Sequence, residues 1–160
     1  MEAVASASLT AARRPHPRLL ILCIEDNALH LLLRKKVLEQ NGYKVIGVST
    51  AEDALTTLRK LPVRAVIADH MLQGTTGTEL AKKMKKLKPD IPIILFSGTL
   101  PEHLNDVDVY VNKGEPTTTF IGVVHNVVQG LREQKSAVVK DIPKWLSLGD
   151  KVLGDEKKAA

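Results

Sequence analysis

What this 160-residue chain lacks closes several classes of function before any motif is read. With one cysteine it can form no internal disulfide. Cys23 lies within an apolar stretch, where it is expected to be a buried, inert thiol suited to a reducing cytoplasm. The longest apolar run, residues 19–24, falls far short of the ~20 residues a membrane span requires. Aromatic residues are scarce: one Trp, two Tyr and two Phe. None stands beside Lys82, Lys83, Lys85, Lys86 and Lys88, so the formal excess of +5 lacks the stacking groups of a nucleic-acid surface. Leu80, Met84 and Leu87 thread that lysine run at helical spacing, which makes the lysines the wet face of an amphipathic helix and gives no reason to expect DNA binding. No His or Cys spacing suggests zinc. No Gly-x-Gly-x-x-Gly follows the first apolar run, where the chain reads Glu25-Asp26-Asn27-Ala28-Leu29-His30, and this argues against a dinucleotide enzyme. Arg13-Arg14 is followed by Pro15 instead of the apolar core of a secretion signal, so residues 1–17 are expected to be a disordered lead.

Beyond residue 17 the chain alternates short apolar runs with amphipathic segments. Residues 19–24, 43–48, 63–68, 91–96 and 107–112 are expected to be strands. Between them, Ala28–Gln40 carries a helical stripe of Leu29, Leu32, Leu33, Lys36 and Val37 and stops at Asn41-Gly42. Thr50, with Asp53 three residues on, opens a second helix that runs through Leu58 to Pro62. The lysine-bearing helix is the third, residues 101–105 allow barely a turn or two of a fourth, and Phe120, Val124, Val127, Val128 and Leu131 mark the last. Nearly all-apolar strands alternating with helices predict an α/β domain over residues 18–132: a doubly wound, five-stranded parallel sheet with helices on both faces. Residues 133–160 are too few for a second core. Within them Asp141 and Pro143 predict a short helix over 143–148, with Trp145, Leu146 and Leu148 expected to pack back onto the domain.

In such sheets ligands bind beyond the carboxyl ends of the strands. Those ends carry Glu25 and Asp26, then Asp69, then Ser97 followed by Gly98, then Lys113. Converging carboxylates repel one another, so they require a compensating cation. Oxygen donors that leave room for water and an incoming phosphate suit Mg²⁺. Transfer of a phosphoryl group is chiefly positioning and charge neutralisation. Asp69 is then the nucleophile, Lys113 pairs with one phosphoryl oxygen, and the Ser97 hydroxyl donates to another.

Over residues 18–132 the chain resembles the receiver domain of two-component response regulators. The resemblance is carried by Leu-Cys-Ile-Glu-Asp-Asn, by Val-Ile-Ala-Asp with Gly77 eight residues on, by Ile-Ile-Leu-Phe-Ser-Gly and by Tyr-Val-Asn-Lys. It implies a flavodoxin-like receiver fold, in which Asp69 takes a phosphoryl group from the phosphohistidine of a kinase or phosphotransfer protein. By the same resemblance Asp26 and Asp69 ligate Mg²⁺ directly, Glu25 acts through water, the Met71 backbone carbonyl completes the coordination, and Ser97 and Tyr110 form a switch pair. Three departures stand out. Gly114 follows Lys113 where the family usually has proline, Gln73 replaces the customary proline after the phosphoacceptor, and Lys113 comes only sixteen positions after Ser97. The resemblance and the short tail together predict a cytoplasmic, single-domain regulator. Such a regulator has no membrane contact and no independent substrate, and it signals to a downstream target by protein contact. An inactive pseudo-receiver serving as an interaction module is the alternative.

Overall fold

The first run of the chain is apolar at every position because it lies between two layers. The computed structural model describes residues 18–133, and β1 (Leu20–Ile24) is buried along its whole length. α1 (Ala28–Gln40) follows, capped by the Asn27 side chain, which accepts from the His30 N–H at 3.0 Å. It ends at Asn41, and Gly42 beyond it adopts φ +90°, the left-handed conformation that glycine takes without steric cost. β2 (Lys44–Val48) and α2 (Ala51–Lys60) come next, and the Thr50 hydroxyl caps α2 by accepting from the Asp53 N–H. After β3 (Ala65–Ala68), a miniature hairpin pairs β4 (Met71–Leu72) with β5 (Thr75–Thr76) across Gly74 at φ +76°. α3 (Gly77–Leu87), β6 (Ile93–Ser97), β7 (Val109–Asn112) and α4 (Thr117–Glu133) complete the domain.

The main sheet has the order β2-β1-β3-β6-β7 and every pairing in it is parallel. Side chains alternate across it, so the central strands feed two cores. On one face Leu22, Ile24, Val66, Ala68 and Ile93 pack with Ala54 and Leu58 of α2 and Leu80, Ala81 and Met84 of α3. On the other, Ile21, Cys23, Ile67 and Ile94 meet Leu38 of α1 and Phe120, Val124 and Val128 of α4. This is the expected doubly wound, flavodoxin-like α/β fold with helices on both faces, and the five strands fall where periodicity placed them, each starting one or two residues later and β6 running on to Ser97. The lead 1–17 and the helix expected over 143–148 lie outside the described residues. Among those described, no helix is long and apolar enough to cross a membrane.

Two expectations are corrected. Residues 101–105 form no helix, so the sheet is covered by four helices instead of five. Pro101 brings no N–H, and the connection is closed instead by turns, with the Val107 N–H donating to Leu104 O at 2.8 Å. The second correction concerns α1: Leu29, Leu32 and Leu33 are 62%, 60% and 54% exposed, and the helix buries Arg34 and Leu38. With leucine at 29, 31, 32 and 33 the upper half of α1 is apolar nearly all round. Spacing alone cannot choose its inner face.

Candidate functional site

The carboxyl edge of the sheet gathers the residues that the strand ends predicted. Glu25 follows β1, and its N–H donates to Val48 O, which ties it to the end of β2. Asp69 follows β3, and its N–H donates to Ile24 O. Glu25, Asp26 and Asp69 each offer a carboxylate oxygen, and these oxygens all lie within 4.8 Å of one another. Glu25 and Asp69 are buried and Asp26 is half-buried. Hard oxygen donors so arranged fit Mg²⁺, and no soft or imidazole ligand joins them.

Lys113 supplies a counter-charge shared by Asp69 and Glu25. Its Nζ donates to Asp69 Oδ2 at 2.8 Å and to Glu25 Oε2 at 3.1 Å. The lysine reaches that position with Gly114, not proline, behind it. Its own N–H donates to Ser97 O at 2.9 Å, and the following turn is held by Asn112, whose Oδ1 accepts from the Gly114 N–H at 2.7 Å. The Asn112 amide also donates to Gly98 O and to the Tyr110 hydroxyl. Asn112 was not anticipated from the sequence; an Asn within three residues of a Gly, at a strand end, was the available signal.

Burial pushes the Asp69 carboxyl upward. The Lys113 hydrogen bond and charge, a 2.7 Å bond from the His70 N–H to Oδ1 and the interaction with Glu25 outweigh this and hold it below the usual carboxylate value. Behind the site, burial pushes the Cys23 thiol up to about 12, as befits an inert core cysteine. Gly77 lets α3 begin against the backbone at the end of β3: a Cβ there runs into the Asp69 carbonyl oxygen and Leu95. The helix start is fixed by a capping box in which Thr76 and Glu79 exchange side-chain and backbone bonds.

Ser97 is buried at the end of β6, and its hydroxyl accepts from the Thr99 N–H at 3.4 Å. Tyr110 stands on β7, half-buried, and Met71 opens β4 with its side chain in solvent. The site also contains a residue the sequence reading missed. Arg34 of α1 donates from Nη2 to Glu25 Oε2 at 2.8 Å, and both side chains are buried. The available signal was an arginine spaced i, i+3, i+7 with Leu31 and Leu38, which places it on the inner face of the helix.

A parallel sheet of this strand order, with an acidic trio at its carboxyl edge, defines a doubly wound domain of the receiver type. The family model for the response regulator receiver domain matches residues 21–111, and the chain belongs to that family. It is 36% identical over 88 residues to the uncharacterized transcriptional regulatory protein YbdJ of Bacillus subtilis, a stretch covering 55% of this chain and 36% of that relative. Among solved structures it resembles a CheY-like receiver domain protein from Methanospirillum hungatei, with TM-score 0.69 and 24% identity over 73% of this chain and 98% of that one. It also resembles the response regulator TrrA of Thermotoga maritima, solved in complex with Mg²⁺-BeF, with TM-score 0.63 and 26% identity over 68% of this chain and 98% of that one.

Proposed function

We propose that this chain is the phosphoacceptor of a two-component phosphorelay, taking a phosphoryl group onto Asp69 from the phosphohistidine of a histidine kinase or phosphotransfer protein. The observation that carries this reading is the meeting of Glu25, Asp26 and Asp69 within 4.8 Å, with Lys113 Nζ 2.8 Å from the acceptor carboxylate. One Asp69 oxygen attacks phosphorus. The new O–P bond forms as the P–N bond to the donor imidazole breaks, and the electron pair departs on the imidazole nitrogen. Lys113, resting on Asp69 Oδ2, transfers its contact to a phosphoryl oxygen, and the Ser97 hydroxyl turns to donate to another. Asp26 and Asp69 would hold Mg²⁺ directly, Glu25 through water, with the Met71 carbonyl completing the protein's share. When bound, the ion draws charge from the phosphoryl oxygens.

The output follows from the same edge. Once Ser97 turns toward the phosphoryl group, Tyr110 follows inward and changes the surface made by residues 98–108, β7 and α4. A separate target protein in the cytoplasm reads that surface by contact, without direct DNA binding by this chain. Incubation with Mg²⁺ and acetyl phosphate or phosphoramidate tests the chemistry. Intact mass is expected to show one added phosphoryl group on the wild type, none on Asp69→Asn and none with excess chelator. No gain on the wild type, or an equal gain on Asp69→Asn, overturns the reading and leaves an interaction module of receiver fold without transfer chemistry.

A further inference from the structure

We propose that Arg34 is a resident cation that neutralises Glu25 and thereby sets how tightly the acidic trio holds a divalent ion. This rests on the reading of Glu25, Asp26 and Asp69 as a cation site. It extends that reading to a buried residue of α1. Glu25 is 1% exposed and Arg34 5%, and Nη2 lies 2.8 Å from Glu25 Oε2. The guanidinium carbon sits 4.7 Å over the centroid of the Phe96 ring, and Phe96 in turn stacks on Phe120 of α4 with centroids 4.4 Å apart. Helix, ring and carboxylate therefore clamp the arginine on three sides.

Stability does not explain it. Nε and Nη1 of Arg34 are buried with no hydrogen-bond partner among the described residues. A leucine between Leu31 and Leu38 would pack without stranding those donors, and buried ion pairs seldom outperform apolar packing. What the arginine does accomplish is electrostatic. Of the three carboxylates, Glu25 meets both Arg34 and Lys113, and Asp69 meets Lys113. Lys113 stands at the mouth, 26% exposed along its side chain, and can move to an incoming phosphoryl group. Arg34 is enclosed and stays. Oε2 of Glu25 is thus permanently occupied, and Oε1 accepts from the Asn27 N–H at 3.2 Å. The ion then experiences chiefly the charges of Asp26 and Asp69. The trio keeps its geometry when empty, and its affinity for a dication is held down by a fixed positive charge.

Mn²⁺ binding followed by electron paramagnetic resonance, with Mg²⁺ as competitor, tests this on the full chain. Arg34→Gln and Arg34→Met are expected to bind Mn²⁺ about tenfold more tightly than the wild type, because a unit charge facing a dication is removed. Arg34→Lys keeps the charge and is expected to stay within about threefold. Unchanged or weaker binding by the neutral variants overturns the proposal. No binding by any form, wild type included, overturns the cation-site reading as well, which separates the two failures. If the neutral variants fail to fold, the wild type still decides by NMR. The Arg34 side-chain N–H resonances are expected to persist in slow solvent exchange with and without saturating Mg²⁺. Their loss on adding Mg²⁺ means that Glu25 exchanges the arginine for the ion, and the proposal fails.

Discussion

The Tyr110 hydroxyl donates to the main-chain carbonyl of Ser97 across 3.2 Å, and the same oxygen accepts from the Lys113 N–H at 2.9 Å. One carbonyl at the end of β6 therefore holds both the ring and the backbone of the lysine that reaches Asp69. Tyr110→Phe removes the hydroxyl's bond to Ser97 O and the one it accepts from the Asn112 amide, and leaves the backbone one. Urea unfolding is expected to show a loss of about 1–3 kcal/mol, the usual net value of two hydrogen bonds. Hydrogen exchange is expected to rise over residues 98–108 in the unphosphorylated protein. Exchange in that loop indistinguishable from the wild type would show that the tyrosine does not restrain it.

Gly77 packs the start of α3 tightly against the backbone just beyond β3. Its N–H donates to His70 O at 2.8 Å, and the position where a Cβ would stand is already taken by the Asp69 carbonyl and Leu95. Gly77→Ala must push the helix start away from β3. An overpacked contact of this kind costs roughly 1–3 kcal/mol, readable as a lowered urea midpoint. On the proposed role of Asp69, the shift is also expected to slow its labelling, because the displaced backbone carries that side chain. A variant with the midpoint and labelling rate of the wild type would show that α3 yields freely.

The lowered pKa of Asp69 has a defined consequence for acid stability. Its folded value lies below its unfolded one, so the proton is bound more readily by the unfolded chain. The stabilisation is fully present above the ordinary carboxylate range and is lost as pH falls through the lowered folded value. In metal-free buffer the wild type is therefore expected to lose stability more steeply with acid, below about pH 4, than Asp69→Asn. Urea midpoints for both proteins between neutral pH and the acid limb measure this. Parallel curves would mean that Lys113 gives Asp69 no preferential stabilisation of its ionised form.

Strands and strand ends were legible in the sequence because full burial on both faces leaves a continuous apolar run that any polar terminus interrupts. Leu20–Ile24 ending in Glu25-Asp26 is the clearest case, and the other two central strands, β3 and β6, end in Asp69 and Ser97 for the same reason. The meeting of Glu25, Asp26 and Asp69 followed once the strands were taken as parallel. Arg34 and Asn112 were not picked out, since their contacts are made only in the folded chain: a carboxylate nine residues away and the Phe96 ring for Arg34, and a turn, Gly98 O and the Tyr110 hydroxyl for Asn112. Residues 101–105 misled because length alone was weighed. Asp108 anchors that connection instead, accepting from the Ile93 N–H and the Lys85 ammonium at 2.7 Å each.

The inverted face of α1 separates two readings of the same helix by a stability measurement. If Leu29, Leu32 and Leu33 formed the buried stripe, a lysine at position 32 would strand a charge in the core and unfold the domain. With Leu32 60% exposed and Leu38 fully buried, the costs are reversed. Leu32→Lys is expected to stay within about 0.5 kcal/mol of the wild type, as surface substitutions do. Leu38→Ala opens a cavity beside Ile21 and Val124 and is expected to cost about 2–5 kcal/mol. Paired urea titrations of the two variants settle which side of α1 faces the sheet. A larger loss for Leu32→Lys than for Leu38→Ala would turn the helix over, and Arg34 would then point away from Glu25.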